Sequence, residues 1–146
     1  MVEGYIRSYR VHDEIYKSRV KVYATSISKL TKDEYDYESN AGSSSNVVDY
    51  EVTVSRASRC RCTPNGYNIT DMDVCNNRDS VRYDRFQIIL WGDEAKKYAE
   101  SPKGTKLKIH GRLQSRTYNK VVDGSKRSCV AYEVSVNSCK LEQGEE

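Results

Sequence analysis

Alternation of apolar and polar residues with a period of two recurs along this chain and constrains its fold most, because a half-buried strand puts every second side chain on one face. In residues 47–55, Val48, Tyr50, Val52 and Val54 fall on one side and Asp49, Glu51, Thr53 and Ser55 on the other. Residues 19–27 set Val20, Val22 and Ala24 against Lys21, Tyr23 and Thr25. Phe86, Ile88 and Leu90 alternate with Gln87, Ile89 and Trp91, a run apolar enough for burial on both faces. Downstream, Leu107 and Ile109 alternate with Lys106, Lys108 and His110. Val130, Tyr132, Val134 and Val136 alternate with Ala131, Glu133 and Ser135. The pattern predicts a mainly all-β chain.

One helix interrupts it. Residues 93–100 carry Asp93 and Glu94 in the first turn, where carboxylates suit the helix dipole, and Ala95, Tyr98 and Ala99 at helical spacing. Ser101-Pro102 ends the helix and Lys103-Gly104 turns the chain. Residues 40–46 form a polar connector, about 57–82 a long polar loop around Pro64-Asn65-Gly66, and Asp123-Gly124 a tight turn. The predicted order is three strands, a short helix between strands 3 and 4, and two strands. That is the order of the OB-fold, a five-stranded Greek-key barrel. The division expected is an N-terminal extension or extra strand over 1–18, an OB domain over 19–141 and a short acidic tail over 142–146.

Charge and composition narrow the function. The 24 Lys and Arg against 21 Asp and Glu leave a net charge of only +3, so a polyanion partner has to be argued from distribution. Tyrosine is unusual at 12, beside one Trp and one Phe, and a core alone would favour Phe. The N-terminus has no basic segment followed by an apolar run, and no stretch is long enough to cross a bilayer, so a cytoplasmic chain with no membrane partner is expected. Five cysteines without a secretion signal read as free thiols. Cys60, Cys62 and Cys75, even with His12 or His110, match no paired-knuckle zinc spacing, so no metal is expected. No phosphate loop, zinc-protease helix or nucleophile elbow is present, so neither catalysis nor a cofactor is expected.

Phe86-Gln-Ile-Ile-Leu-Trp-Gly92, then Glu94-Ala95, Lys103-Gly104, the run from Leu107 through Gly111-Arg-Leu-Gln-Ser-Arg-Thr-Tyr118, and Tyr132-Glu133-Val134 together resemble the bacterial and phage single-stranded DNA-binding proteins. Residue type and spacing agree over about 50 residues. Less closely, Val47 to Arg56 resembles the family's second strand and Leu30-Thr-Lys-Asp33 the end of its first. The resemblance implies a non-sequence-specific binder of single-stranded DNA, a homo-oligomer (tetramer or dimer), acting in replication, recombination or repair. The family's acidic, apolar-tipped recruiting tail has no counterpart in Leu141-Glu-Gln-Gly-Glu-Glu146, which weakens recruitment of replication proteins by that route. The alternatives are a protein-interaction OB module of a primosome or phage complex and a single-stranded RNA binder.

Sequence-tolerant binding needs flat rings for bases and cations for phosphates. The resemblance places base-stacking aromatics at Trp91 and Tyr118. Arg112, Arg116 and Lys120, with Lys106 and Lys108 upstream, form the expected positive stripe. A second basic candidate is the group Arg56, Arg59, Arg61, Arg78, Arg82 and Arg85 flanking the long loop, with Asp71, Asp73 and Asp79 cancelling part of its field.

Overall fold

The structure, a computed structural model, describes residues 1–10, 18–29, 46–77 and 82–142. Residues 30–33, His12, Arg78, Asp79, most of the 40–46 connector and the end of the acidic tail lie outside them. The order is β1 (Val2–Arg10), β2 (Ser18–Ile27), β3 (Val48–Ala57), β4 (Arg61–Cys62), β5 (Asn68–Asn77), β6 (Tyr83–Trp91), α1 (Gly92–Lys97), β7 (Lys106–Val122) and β8 (Ser125–Leu141).

Strands β3, β7, β8, β6 and β5 are hydrogen-bonded in that order, and β3 also pairs with β5, so the sheet closes on itself. All pairings in this ring are antiparallel except β6 with β8. Helix α1 falls between the third and fourth ring strands. This is the OB-fold, as expected.

Two assignments differ from the sequence reading. The strand at 18–27 pairs with β1 in a separate two-stranded sheet and is not the first ring strand. The first is β3, the stretch likened to the family's second strand. The second is β5, which lies inside the segment taken as a long loop. Its inner face is Thr70, Met72 and Val74, all buried, while Asp71 and Asp73 point outward. Three Asn and two Asp in ten residues, types depleted in strands, hide that alternation. Tertiary pairing with β6 along the full strand overrides the weak local preference.

Side chains at alternate positions fill the interior: Val52 and Val54 of β3, Ile88 and Leu90 of β6, Leu107 and Ile109 of β7, and Val134 and Val136 of β8 are 0–3% exposed. Burying each such side chain stabilises the fold by roughly 1.5–3 kcal/mol. Helix α1, shorter than the predicted 93–100, adds Ala95, and Tyr98 follows at its C-cap with its hydroxyl donating to the Cys139 carbonyl at 3.2 Å. The hairpin β1–β2 contributes Ile6 to the same core, with Val20 against it. Its docking is fixed by the Ile6 N–H donating to Tyr50 Oη at 3.0 Å and by an Arg7–Asp84 ion pair at 2.9 Å. Strands β7 and β8 run on past the core as a long two-stranded arm that ends at Asp123-Gly124, where positive φ at both residues makes the tight hairpin turn expected there.

Candidate nucleic-acid interface

The period-two rule that fills the interior also sets the outer face. On β6 the inward side chains are Asp84, Phe86, Ile88 and Leu90, so Arg85, Gln87, Ile89 and Trp91 face out. Outward Asp71 and Asp73 of β5 lie opposite Ile89 and Gln87. On the other flank, Ser135 of β8 lies opposite Ile89. Arg112 and Gln114 of β7 in turn face Ser135 and Glu133. One continuous face therefore crosses β5, β6, β8 and β7. In OB-folds the strand 2–3 face and the loops beside it bind oligonucleotides; here those strands are β5 and β6.

Trp91 lies on this face at the end of β6. It is 37% exposed, and its indole N–H donates to Ser135 Oγ at 3.0 Å, which keeps the ring on the surface and out of the core. Tyr67, 62% exposed, meets it edge-on with centroids 6.5 Å apart. Tyr67 was not singled out from the sequence. It follows Pro64-Asn65-Gly66, and the turn it closes, with Thr63 N–H donating to the Tyr67 carbonyl at 2.8 Å, carries the ring over to Trp91.

An open groove of about 510 Å³ on the same side of the sheet is lined by Arg56, Ala57, Ser58, Arg61, Asp71, Asp73, Gln87 and Arg116. Its arginines are each committed to a carboxylate. Arg56 meets Asp73 Oδ2 at 2.6 Å and Arg61 meets Asp71 Oδ2 at 2.8 Å. Arg116 Nε lies 3.1 and 3.0 Å from the two oxygens of Glu133, a carboxylate only 1% exposed that also accepts from Gln114 at 3.1 Å. The Arg116 guanidinium stands 5.5 Å from the centroid of the Tyr118 ring. Part of the basic field expected at the loop end is thus cancelled by Asp71 and Asp73, as the sequence suggested.

The remaining predicted residues spread apart. Lys106 and Lys108 share the outer parity of β7 with Arg116, but Lys108 is eight residues away, roughly 26 Å along an extended strand. There Lys108 pairs with Glu51 at 3.1 Å and His110 with Asp49 at 2.6 Å. The hydrogen bond to Glu51 raises the Lys108 pKa above its usual value. That half of the stripe is a mixed-charge face of β3 and β7. Arg85 stacks on Tyr83 at 5.0 Å on the outer side of β6. Lys120 sits opposite Arg127 on the β7–β8 arm, next to Lys126. Exposed Lys126 and Arg127 form no ion pair among the described residues. Neither was singled out from the sequence, because their nearness to Lys120 depends on the register of the arm. Among the described residues no cluster of His, Cys, Asp and Glu could hold a metal ion, all five cysteines are free, and no helix is long and apolar enough to cross a membrane.

Comparison with known proteins agrees with this architecture. The wild-type single-stranded DNA binding protein from Thermus aquaticus is 20% identical, with a TM-score of 0.70 over 99% of this chain and 59% of that one. A deletion mutant of the same protein is 21% identical, with a TM-score of 0.67 over 99% and 60%. The protein priB from Ralstonia solanacearum is 14% identical, with a TM-score of 0.51 over 68% and 100%. The chain thus spans less than two thirds of the Thermus protein, and at these identities the likeness is one of fold. No curated relative matches. The single-strand binding protein family matches residues 46–141, which hold every strand of the closed ring and the outer face just described. The chain therefore belongs to the single-strand binding protein family.

Proposed function

We propose that the chain binds single-stranded DNA without a fixed recognition sequence and shields unpaired strands in replication, recombination or repair. The observation that carries this reading is Trp91, an exposed indole tethered by its own N–H at the end of a central barrel strand. A ring already fixed in place loses little freedom when a base stacks on it, and such stacking is worth about 1–3 kcal/mol per base. Tyr67 beside it and Tyr118 on the arm extend the stacking path, and Lys120, Lys126 and Arg127 meet phosphates at the arm's tip. The binding unit is the barrel over 46–141 with the β1–β2 hairpin as an extension. It acts as a homo-oligomer, with replication proteins as further partners.

Trp91 is the sole tryptophan, so titration with oligo-dT reports on it directly: the expected result is strong quenching, reversed by salt. Replacing both rings in W91L/Y118L weakens binding about tenfold or more. Undiminished binding by that variant removes the stacking assignment. The pairing of groove arginines with carboxylates favours one rival, a protein-interaction module. Unchanged fluorescence together with no shifted band in a gel would make that rival the better reading.

A further inference from the structure

The first strand pair of this chain repeats the last. Val2-Glu-Gly-Tyr-Ile-Arg-Ser8 of β1 matches Ile109-His-Gly-Arg-Leu-Gln-Ser115 of β7, with the glycine and the serine shared and an aliphatic residue at the first and fifth places of both. The register repeats as well. Val2 faces Ile27, Glu3 faces Ser26 and Gly4 faces Ala24, so Thr25 is skipped. Ile109 faces Cys139, His110 faces Ser138 and Gly111 faces Val136, so Asn137 is skipped. Each bulge therefore sits just before its glycine. At both glycines a Cβ would strike the backbone of the facing strand: the Tyr23 carbonyl oxygen and Ala24 Cα at Gly4, the Ser135 carbonyl oxygen and Val136 Cα at Gly111, with the Cα 3.0 Å away in each case.

The two copies differ in what covers them. In the ring, β3 pairs with the outer edge of β7 and β6 with the outer edge of β8, and Ile109, Val134 and Cys139 are 1–3% exposed. Their counterparts in the hairpin, Val2, Val22 and Ile27, are 51–76% exposed, and β1 and β2 pair only with each other among the described residues. Only Ile6 and Val20, the counterparts of Leu113 and Tyr132, pack against the existing barrel. A two-stranded hairpin is marginal by itself, and its open edges are templates for further strands. Residues 30–45 lack the composition to cover the face, since Leu30 is their one large aliphatic residue. A second copy of the chain has no strands to lend, because its own ring uses β3, β5 and β6.

We infer that β1–β2 is the closing strand pair of a second OB barrel, completed by three strands and a short helix that precede β1 in the same polypeptide. In the ring the helix leads into the first closing strand across residues 98–105, and β1 holds the place of β7. The missing unit has the alternating apolar pattern of β3, β5 and β6, and lies antiparallel to β1 at one edge and parallel to β2 at the other, as β3 and β6 do in the ring.

The test joins a copy of residues 46–107 to Met1 of the full chain, which keeps the spacing of the repeat because Met1 then stands where Lys108 stands. Ile27→Cys is introduced, and peptide mass mapping follows labelling of the new thiol while hydrogen exchange follows the amides of residues 2–8. In the chain without the added unit the new thiol is expected to label as readily as exposed Cys62. In the fusion its labelling is expected to slow about tenfold or more, with the amides of residues 2–8 protected in step. Adding Val22→Asp to the fusion restores fast labelling and exchange. A new thiol that labels equally fast with and without the added unit, whether that unit folds elsewhere or not at all, overturns the second barrel. So does a thiol already protected in the chain without it, since residues 30–45 or a second copy would then cover the face.

Discussion

At the scale of single residues, Gly111 and Cys139 show how closely the two long strands pack. A Cβ at Gly111 would lie 2.2 Å from the Ser135 carbonyl oxygen and 3.0 Å from Val136 Cα, both backbone atoms that no rotamer can move. The site adjoins the register shift between His110 and Gly111, where the β8 backbone crosses close to β7. Gly111→Ala is expected to destabilise the fold by roughly 1–3 kcal/mol, as overpacking does. A thermal midpoint equal to that of the unaltered chain would refute the close approach. Cys139 is buried against the helix end, and burial, reinforced by the charge of Glu94, pushes its thiol from the ordinary 9.0 up to about 12. Because the folded value is the higher one, the neutral thiol's contribution is complete below about pH 9 and is lost as pH rises toward 12. At pH 8 a thiol reagent should therefore label exposed Cys62 and spare Cys139 until the chain unfolds, which peptide mass mapping reads directly. Trp91 was singled out by the family resemblance, since alternation alone left its strand apolar enough for burial on both faces. Tyr67 was not, since only the β4–β5 turn brings it there.

Among the elements, β5 and the β1–β2 hairpin carry the differences between reading and fold. The alternation of β5 places Thr70, Met72 and Val74 inside, yet its Asn and Asp content resembles a loop until β3 and β6 are paired on either side. In sequence, residues 2–11 alternate poorly and residues 19–27 read as the first ring strand, and nothing in that alternation says that the two pair with each other outside the ring. The structure docks the hairpin through Ile6, 5% exposed, with Val20 packed against the same core, while Val22 on the same hairpin is 51% exposed. Ile6→Ala is expected to cost about 2 kcal/mol or more. Val22→Ala should change stability by less than about 0.5 kcal/mol. Equal, small effects in urea melts would show that the hairpin is not held to the barrel.

For the whole molecule, the arrangement of charge makes a quantitative statement about binding. The groove arginines are paired with carboxylates, and the proposed reading puts Lys120, Lys126 and Arg127 of the arm against phosphates. Three contacts predict a slope of log affinity against log salt of about −2 for a single strand. Were Arg56, Arg61 and Arg116 also bound to phosphates, the slope would steepen to about −4. The variant K126Q/R127Q should flatten the slope by about 1.4 units, since each phosphate contact on a single strand contributes about 0.7. A slope that K126Q/R127Q leaves as it was would move the phosphate path elsewhere on the surface.

By itself the sequence determined the all-β class, the helix between the third and fourth ring strands and the Asp123-Gly124 turn, because period-two burial and turn chemistry act within a few neighbouring residues. Only the tertiary structure decided which strands close the ring, that residues 68–77 are one of them, and that Lys106 and Lys108 stand far from Arg116. It also decided that the groove arginines meet carboxylates from other strands, Asp71, Asp73 and Glu133. Those outcomes depend on register between strands far apart in the chain, and a period of two assigns a residue to a face without saying which strand lies beside it.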